Sequence, residues 1–362
     1  LTPEPAHNRP CALVMAGGTG GHIFPALAVA QALCEQGWAV HWLGTARGME
    51  AHVAPAHGFA LHAVQFSGVR GKGLGALLQL PARLLRACWQ ARAVLRRTRP
   101  HVVLGFGGYI SVPGALAARL ARTPLLLHEQ NAIAGSANRH LARWAQHVFT
   151  AFPGVLPGAR HVGNPLRRAF TEQAAPAARF AARSGALRLL VLGGSLGAQV
   201  LNETVPQALA LLPAAARPSV LHQSGAAHIA ALRQRYAAAQ VQAQCLPFIE
   251  DVASALAQAD LVICRAGAST VCEIAAVGAA AIYVPFAAAV DDHQSANARH
   301  VTRAGGGWLL PQRECTPHKL AAMLQSTTRA ALLQAALRAR ALHPASDATA
   351  AIVQACRQLI QS

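Results

Sequence analysis

Residues 11–37 read CALVMAGGTGGHIFPALAVAQALCEQG. The apolar run Ala12 to Met15 is too short for a helix and has no polar alternation, which is the signature of a strand buried on both faces. It stops at GGTGGH, Gly17 to His22, and from there apolar residues recur with helical spacing up to Gly37, giving an amphipathic helix. Strand, glycine loop and helix in that order open a parallel sheet covered by helices.

The same grammar continues outward from this stretch. Val40 to Leu43, Val102 to Leu104 and Leu125 to Leu127 read as further buried strands, and a second glycine loop, GFGGY at Gly105 to Tyr109, follows HVVL. Around residues 152–166 the chain becomes FPGVLPGARHVGNPL, whose Pro and Gly density marks a domain boundary. Then the grammar restarts: strand Leu187 to Leu192, loop GGSLGA at Gly193 to Ala198, strands Leu261 to Cys264 and Ala281 to Val284. The expectation is an α/β protein of two Rossmann-like domains with parallel sheets facing a cleft, spanning 1–165 and 166–344. The helical segment Ala348 to Ile360, within about 345–362, packs back on the first domain.

A length of 362 residues suits two cores, and an apolar share of 53% can fill them. Lys and Arg number 32 against 14 Asp and Glu, a formal charge of +18, so an anionic partner is expected, although an Arg- and Ala-rich genome would leave the same mark. Nucleic acid is disfavoured, because aromatic residues are only 5% and no recognition motif is present. The eight cysteines are scattered without a CxxC pair and read as reduced thiols. No apolar run reaches the roughly 18 residues of a membrane span, and LTPEPAHNRP lacks a signal-peptide design. The chain is therefore expected in the cytoplasm, meeting any membrane from its surface.

A glycine loop between strand and helix lets backbone N–H groups approach a phosphate while the helix dipole favours the anion. One such loop also serves simply to pack a helix on a sheet; three of them, on two domains, point to phosphates on both. None matches GxxxxGKS/T, and GGTGGH fails the GxGxxG spacing when read from Gly18, so a P-loop ATPase and a dinucleotide dehydrogenase are both disfavoured. GASTVCE, Gly267 to Glu273, follows the strand LVIC and starts another helix; its Ser/Thr pair suits a pyrophosphate or sugar, and Glu273 suits the two hydroxyls of a ribose. Read blandly, the same residues cap a helix. His22, beside the first loop, is a candidate base or anion donor whose neutral form the helix dipole favours, or else a cap. Glu129, Gln130 and Asn131 in HEQNAIAG sit at a strand end with groups suited to sugar hydroxyls, as do Asp291, Asp292, His293, Gln294 and Asn297 in DDHQSANA. There is no HExxH, EF-hand or DxD, so no metal site is expected.

Taken together and in this order, GGTGGHIFPALA, FGGYIS, HEQNAIAG, VGNPLR, GGSLGA, CRAGASTVCEIAA and DDHQSANA resemble the MurG family of undecaprenyl-diphospho-muramoylpentapeptide N-acetylglucosaminyltransferases, from about residue 11 to the end. The resemblance implies a GT-B fold and an inverting transfer of N-acetylglucosamine from UDP-N-acetylglucosamine to the muramic acid 4-hydroxyl of lipid I, giving lipid II, without a cofactor. It assigns donor contacts to Thr19, Gly20, Gly21, Asn131, Arg167, Ser195, Ile249, Ala268, Ser269, Thr270, Val271, Cys272, Glu273 and Gln294. Ile249 would flank uracil, Glu273 hold ribose and Gln294 meet the sugar hydroxyls. His22 is the candidate base, and Gly107, Gly108 and Tyr109 are candidates for the acceptor's phosphate. The resemblance places the enzyme peripherally on the cytoplasmic face of the bacterial inner membrane, where cell-wall synthesis proteins are its expected partners. A UDP-N-acetylglucosamine 2-epimerase is a rival on the same fold, needing neither lipid nor a basic membrane face.

Between Glu50 and Glu129 there is no acidic residue, while Arg70, Lys72, Arg83, Arg86, Arg92, Arg96, Arg97, Arg99, Arg119 and Arg122 are basic. Leu74, Leu77, Leu78, Leu84, Leu85 and Trp89 recur at roughly helical spacing among them. Either these apolar residues face the core, or the segment docks on an anionic membrane.

Overall fold

The computed structural model describes residues 9–67, 79–194, 196–287, 292–344 and 347–361. The chain divides into two units: one runs through Leu166 and takes in the C-terminal helix, the other is Arg167–Pro344.

In the first unit, β1 (Cys11–Met15), β2 (Ala39–Gly44), β3 (Ala60–Ala63), β4 (Val102–Gly105), β5 (Leu125–Glu129), β6 (His147–Thr150) and β7 (Arg160–His161) form one sheet in the order β3-β2-β1-β4-β5-β6-β7. Every pairing is parallel; Ala12 lies beside Val40 on one side and Val102 on the other. Alternation along β1 separates two cores. Ala12 and Val14 pack with Ile23, Leu27 and Leu33 of helix Gly20–Glu35, whereas Leu13 and Met15 pack with Ala91, Val94 and Leu95 of helix Leu80–Thr98.

The second unit repeats the plan with β8 (Arg188–Leu192), β9 (Ser219–Gln223), β10 (Gln244–Leu246), β11 (Leu261–Cys264), β12 (Ala280–Tyr283) and β13 (Gly307–Leu309), in the order β10-β9-β8-β11-β12-β13, again all parallel. Both units are thus parallel-sheet Rossmann-like folds. In each, strand order reverses beside the first strand, at β1/β4 and β8/β11, and ligands bind such sheets at the carboxyl end of that switch point.

One reading of the sequence is corrected here. Helix Gly20–Glu35 is not amphipathic in its setting: Pro25 to Ala30 are buried without a break, on every side. Helix Ala348–Gln361 supplies the cover, bringing Ala351, Ile352, Ala355 and Cys356 into the same core. A stretch apolar all round must be buried all round, as Pro25 to Ala30 are, while Phe24, Cys34 and Glu35 toward the ends stay exposed.

Helix Leu80–Thr98 turns Ala87, Ala91, Val94 and Leu95 inward and leaves Leu85 and Trp89, one turn apart, 72% and 75% exposed. Leu120, on the adjoining helix Ser111–Ala121, is 66% exposed. Leu84 is half-buried, so the apolar stripe read from the sequence splits between core and surface. Arg70, Lys72, Leu74, Leu77 and Leu78 lie outside the described residues.

Candidate functional site

At the β1/β4 switch point the two glycine loops touch. Gly108 has φ +80°, and a Cβ there would collide with the carbonyl oxygen of Gly17, so only glycine brings the loops this close. Thr19 precedes the first helix in extended conformation, without a side-chain cap, and its carbonyl accepts from His22 N at 3.1 Å. The N–H groups of Gly20 and Gly21 belong to the first turn, where a helix has no internal acceptor to offer. Thr19 is exposed; Gly20, Gly21 and His22 are half-buried. Tyr109, also half-buried, stands with its ring 6.3 Å from that of Phe66.

The end of β5 joins this group. Glu129 is buried, and its carboxylate accepts four hydrogen bonds: from Asn131 N (2.9 Å) and Nδ2 (3.2 Å) at one oxygen, from Gly135 N (3.1 Å) and Asn138 Nδ2 (2.9 Å) at the other. It shapes the HEQNAIAG turn from within. His128 donates from Nε2 to the Gly163 carbonyl at 2.9 Å, and burial drives its pKa down to about 4, outweighing that bond and nearby Glu129. It is therefore a neutral structural ring. Gln130 is fully buried and meets His22, Oε1 to Nδ1, at 3.1 Å.

Sequence reasoning missed Glu50. It is fully buried; Oε1 accepts from Thr45 N (3.0 Å) and Oγ1 (2.8 Å), and Oε2 from Gly18 N (3.3 Å), so a carboxylate props the first glycine loop from below.

In the second unit the β8 loop is pinned to its neighbour. Gly197, at φ +78°, would collide with the Ser224 carbonyl if it carried a Cβ, and Gln223 Nε2 donates to Gly194 O at 2.9 Å and Pro247 O at 3.4 Å. Ser195 lies outside the described residues. Next to Pro247, Phe248 is 58% exposed while the Ile249 side chain is buried, so Ile249 presents only backbone and the apolar surface there belongs to Phe248.

After β11, helix Ala268–Val277 begins on Gly267 rather than on a Ser or Thr cap. The first turn holds Ala268, Ser269 and Thr270, and the Ser269 hydroxyl is buried without a partner among the described residues. Val271 is core. Burial pushes the Cys272 thiol up to about 12, with Glu273 adding to the shift, so it stays protonated and inert. Glu273 is half-buried; burial raises its carboxyl to about 7 against the opposing pull of Arg167. Arg167 lies over the Phe170 ring at 5.0 Å and also draws down Asp251, whose largest stabiliser is Ser254. Gln294 Oε1 accepts from Ala266 N (3.3 Å) and Phe286 N (3.0 Å), and buried Asn297 donates to Ala266 O at 3.1 Å. The Gln294 carbonyl thus holds the loops together. Asp291 is outside the described residues; exposed Asp292 pairs with Arg299 at 3.5 Å.

The candidate residues fall into two sets. Thr19, Gly20, Gly21, His22, Gly107, Gly108, Tyr109 and Asn131 gather in the first unit; Arg167, Ile249, Ala268 to Glu273 and Gln294 belong to the second.

Known proteins are similar to this chain over most of its length. Residues 12–150 match the glycosyltransferase family 28 N-terminal domain and residues 188–352 its C-terminal domain. A protein of Verminephrobacter eiseniae (strain EF01-2) is 66% identical over 352 residues, 96% of this chain and 98% of that protein. One of Acidovorax sp. (strain JS42) is 61% identical over 358 residues, 98% and 90% of the two chains. Both bear the name UDP-N-acetylglucosamine--N-acetylmuramyl-(pentapeptide) pyrophosphoryl-undecaprenol N-acetylglucosamine transferase. The crystal structure of Acinetobacter baumannii MurG superposes with a TM-score of 0.84 at 39% identity, covering 96% of this chain and 99% of that one. The glycosyltransferase of kitacinnamycin shares the fold at a TM-score of 0.71 and 16% identity, with 97% and 99% coverage.

Proposed function

Because this chain belongs to glycosyltransferase family 28, and within it to the MurG family, we propose that it moves N-acetylglucosamine from UDP-N-acetylglucosamine to the muramic acid 4-hydroxyl of lipid I, forming lipid II. The observation that carries the reading is the chemistry at the two switch points: glycine loops with a half-buried imidazole in one unit, and a helix start with an acid one turn in and Arg167 beside it in the other.

The donor is held chiefly by the second unit. The Ile249 backbone and Phe248 meet uracil, Glu273 the ribose hydroxyls, and the first-turn N–H groups at Ser269 and Thr270 the diphosphate. Gln294 offers its amide to the sugar; Thr19, Gly20, Gly21, Asn131 and Ser195 complete the donor contacts. As UDP departs, negative charge grows on it, and Arg167 with the helix N-terminus is in place to stabilise that charge. His22 takes the proton of the 4-hydroxyl as that oxygen attacks the anomeric carbon from the face opposite UDP, so configuration inverts. Gly107, Gly108 and Tyr109 receive the acceptor's phosphate. Labelled UDP-N-acetylglucosamine supplied with lipid I in vesicles should yield labelled lipid and UDP. Conversion of the donor to its 2-epimer with no labelled lipid would overturn the proposal in favour of an epimerase.

Glu273 supplies a pH test. With its folded pKa raised to about 7, the carboxylate that accepts from ribose is fully formed only above that pH. Donor affinity should rise between pH 6 and 8 and flatten beyond, a dependence that Glu273→Gln abolishes while weakening binding about 10- to 100-fold by loss of a charged hydrogen bond. Stability runs the other way. An acid whose pKa is higher folded than unfolded stabilises least once pH has passed its folded value, so the Gln variant should melt higher than the parent at pH 8 and lose that advantage at pH 4. Calorimetry that finds donor affinity flat with pH in the parent would refute the assignment.

The acceptor's lipid cannot leave a bilayer, so we also propose that the first unit docks on the anionic cytoplasmic leaflet of the bacterial inner membrane through helix Leu80–Thr98. Exposed Leu85 and Trp89 beside Arg83, Arg86 and Arg92 support this, and no helix among the described residues is long and apolar enough to cross a membrane. Each basic residue at such a surface contributes about 1 kcal/mol, screened by salt. Reversing Arg83, Arg86 and Arg92 to Glu should lower sedimentation with anionic vesicles more than tenfold and leave UDP-N-acetylglucosamine affinity unchanged. Undiminished vesicle binding by the folded variant would refute it.

A further inference from the structure

We infer that Gln130 is a positioning residue for the transfer: its side-chain amide holds His22 in the Nδ1–H tautomer and leaves Nε2 as the proton acceptor. The inference rests on the reading of His22 as base. Gln130 is fully buried just beyond β5, where its amide has two neighbours. Nε2 donates to the His128 carbonyl at 3.3 Å, so Oε1 is the atom that faces His22 Nδ1 at 3.1 Å. Turning the amide over would set Oε1 against the His128 carbonyl, two acceptors with no hydrogen between them. That carbonyl is itself held in place by Asn138 Nδ2 at 3.2 Å. An amide oxygen has no hydrogen to give, so the hydrogen in the bond to His22 comes from Nδ1. A neutral imidazole carries one N–H; with Nδ1 protonated, Nε2 keeps its lone pair.

The Nδ1–Cε1 edge of the ring is confined by Gly107 as well. Gly107 lies so close that a Cβ would stand 3.0 Å from both Cε1 and Nδ1, and any larger residue would push the ring off Gln130. Among the described residues no carboxylate is bonded to the ring. The Glu129 carboxylate is engaged by Asn131, Gly135 and Asn138, that of Glu50 by Thr45 and Gly18, and neither is bonded to the ring. His22 is thus oriented by a neutral partner, which selects a tautomer without stabilising the imidazolium, as a carboxylate in the same place would.

The test uses the whole enzyme with 15N-labelled histidine, the His22 signals being assigned by their loss in His22→Gln. At pH 8 the parent should show a protonated Nδ1 and a bare Nε2. Gln130→Leu should scramble that pattern and lower kcat at least about tenfold, the loss of a tautomer-fixing partner costing up to about 10⁴-fold in a serine-protease triad, with donor affinity unchanged. Gln130→Asn, too short to reach the ring, should behave alike. Gln130→Glu should recover part of the turnover and move the acidic limb of its pH profile upward. A protonated Nε2 in the parent, or parental kcat and pH profile in Gln130→Leu, overturns the inference. If His22→Ala itself turns over normally, the base reading falls, a result distinct from an inactive His22→Ala beside a fully active Gln130→Leu.

Discussion

Replacing His22 with alanine should reduce transfer to lipid I by about 10²- to 10⁴-fold, the range over which a positioned base accelerates proton transfer, while UDP-N-acetylglucosamine binds within about twofold of the parent. The asymmetry follows from placement. His22 stands on the first turn of Gly20–Glu35 in the first unit, whereas Glu273, Arg167 and the helix start at Ala268 belong to the second. Removing the imidazole leaves every element of the second unit as it was. Single-turnover rates at saturating lipid acceptor, beside calorimetric donor affinity, separate the two effects. Near-normal turnover would remove His22 from the mechanism. Recovery at high pH would not restore it, since hydroxide can stand in for a base.

The second large effect is expected at Glu50, which touches no substrate in this scheme. Alanine there strands Thr45 N and Oγ1 in a place closed to water, and removes the bond that holds Gly18 N at the exposed loop. Hydrogen bonds to a charged group contribute about 1.5–3 kcal/mol each, partly offset because the carboxylate no longer has to be desolvated. A net loss of about 3 kcal/mol should lower the melting transition of the first unit by roughly 6–12 °C. Glu50→Gln keeps the shape but turns an N–H₂ toward the N–H of Gly18 or of Thr45, so it should fall between alanine and the parent. Scanning calorimetry showing Glu50→Ala melting with the parent would refute the role. Glycine fits this site for a steric reason: a Cβ at Gly17 would lie 2.9 Å from Glu50 Oε1, and one at Gly48 would collide with the same carboxylate.

Glu50 also shows where reading a sequence runs out. The glycine loops were legible because the chain needs positive φ or close backbone approach there, and few residues besides glycine provide both, as at Gly18, Gly108 and Gly197. The central strands were legible because both faces are buried, which writes an unbroken apolar run. Strands β3 (ALHA), β6 (HVFT), β7 (RH) and β10 (QCL) carry no such run, since they lie toward the sheet edges and half their residues meet water or polar neighbours. Phe248 reads like any core aromatic until the backbone turns it outward and Ile249 inward. Glu50 reads as an ordinary acid opening a short helix; its burial depends on Gly17 and Gly18 arriving from more than thirty positions away. The bond between Gln130 and His22 joins residues 108 apart, a distance over which one sequence by itself carries no signal.

The covering of Gly20–Glu35 by Ala348–Gln361 bears on how the molecule is made. A ribosome releases the first helix early and the helix that covers it only after the whole of the other unit, although domains commonly fold in the order of their synthesis. Until Ala348–Gln361 emerges, the outer side of the first helix stays bare and adhesive. The first unit is thus completed only once the second has been synthesised.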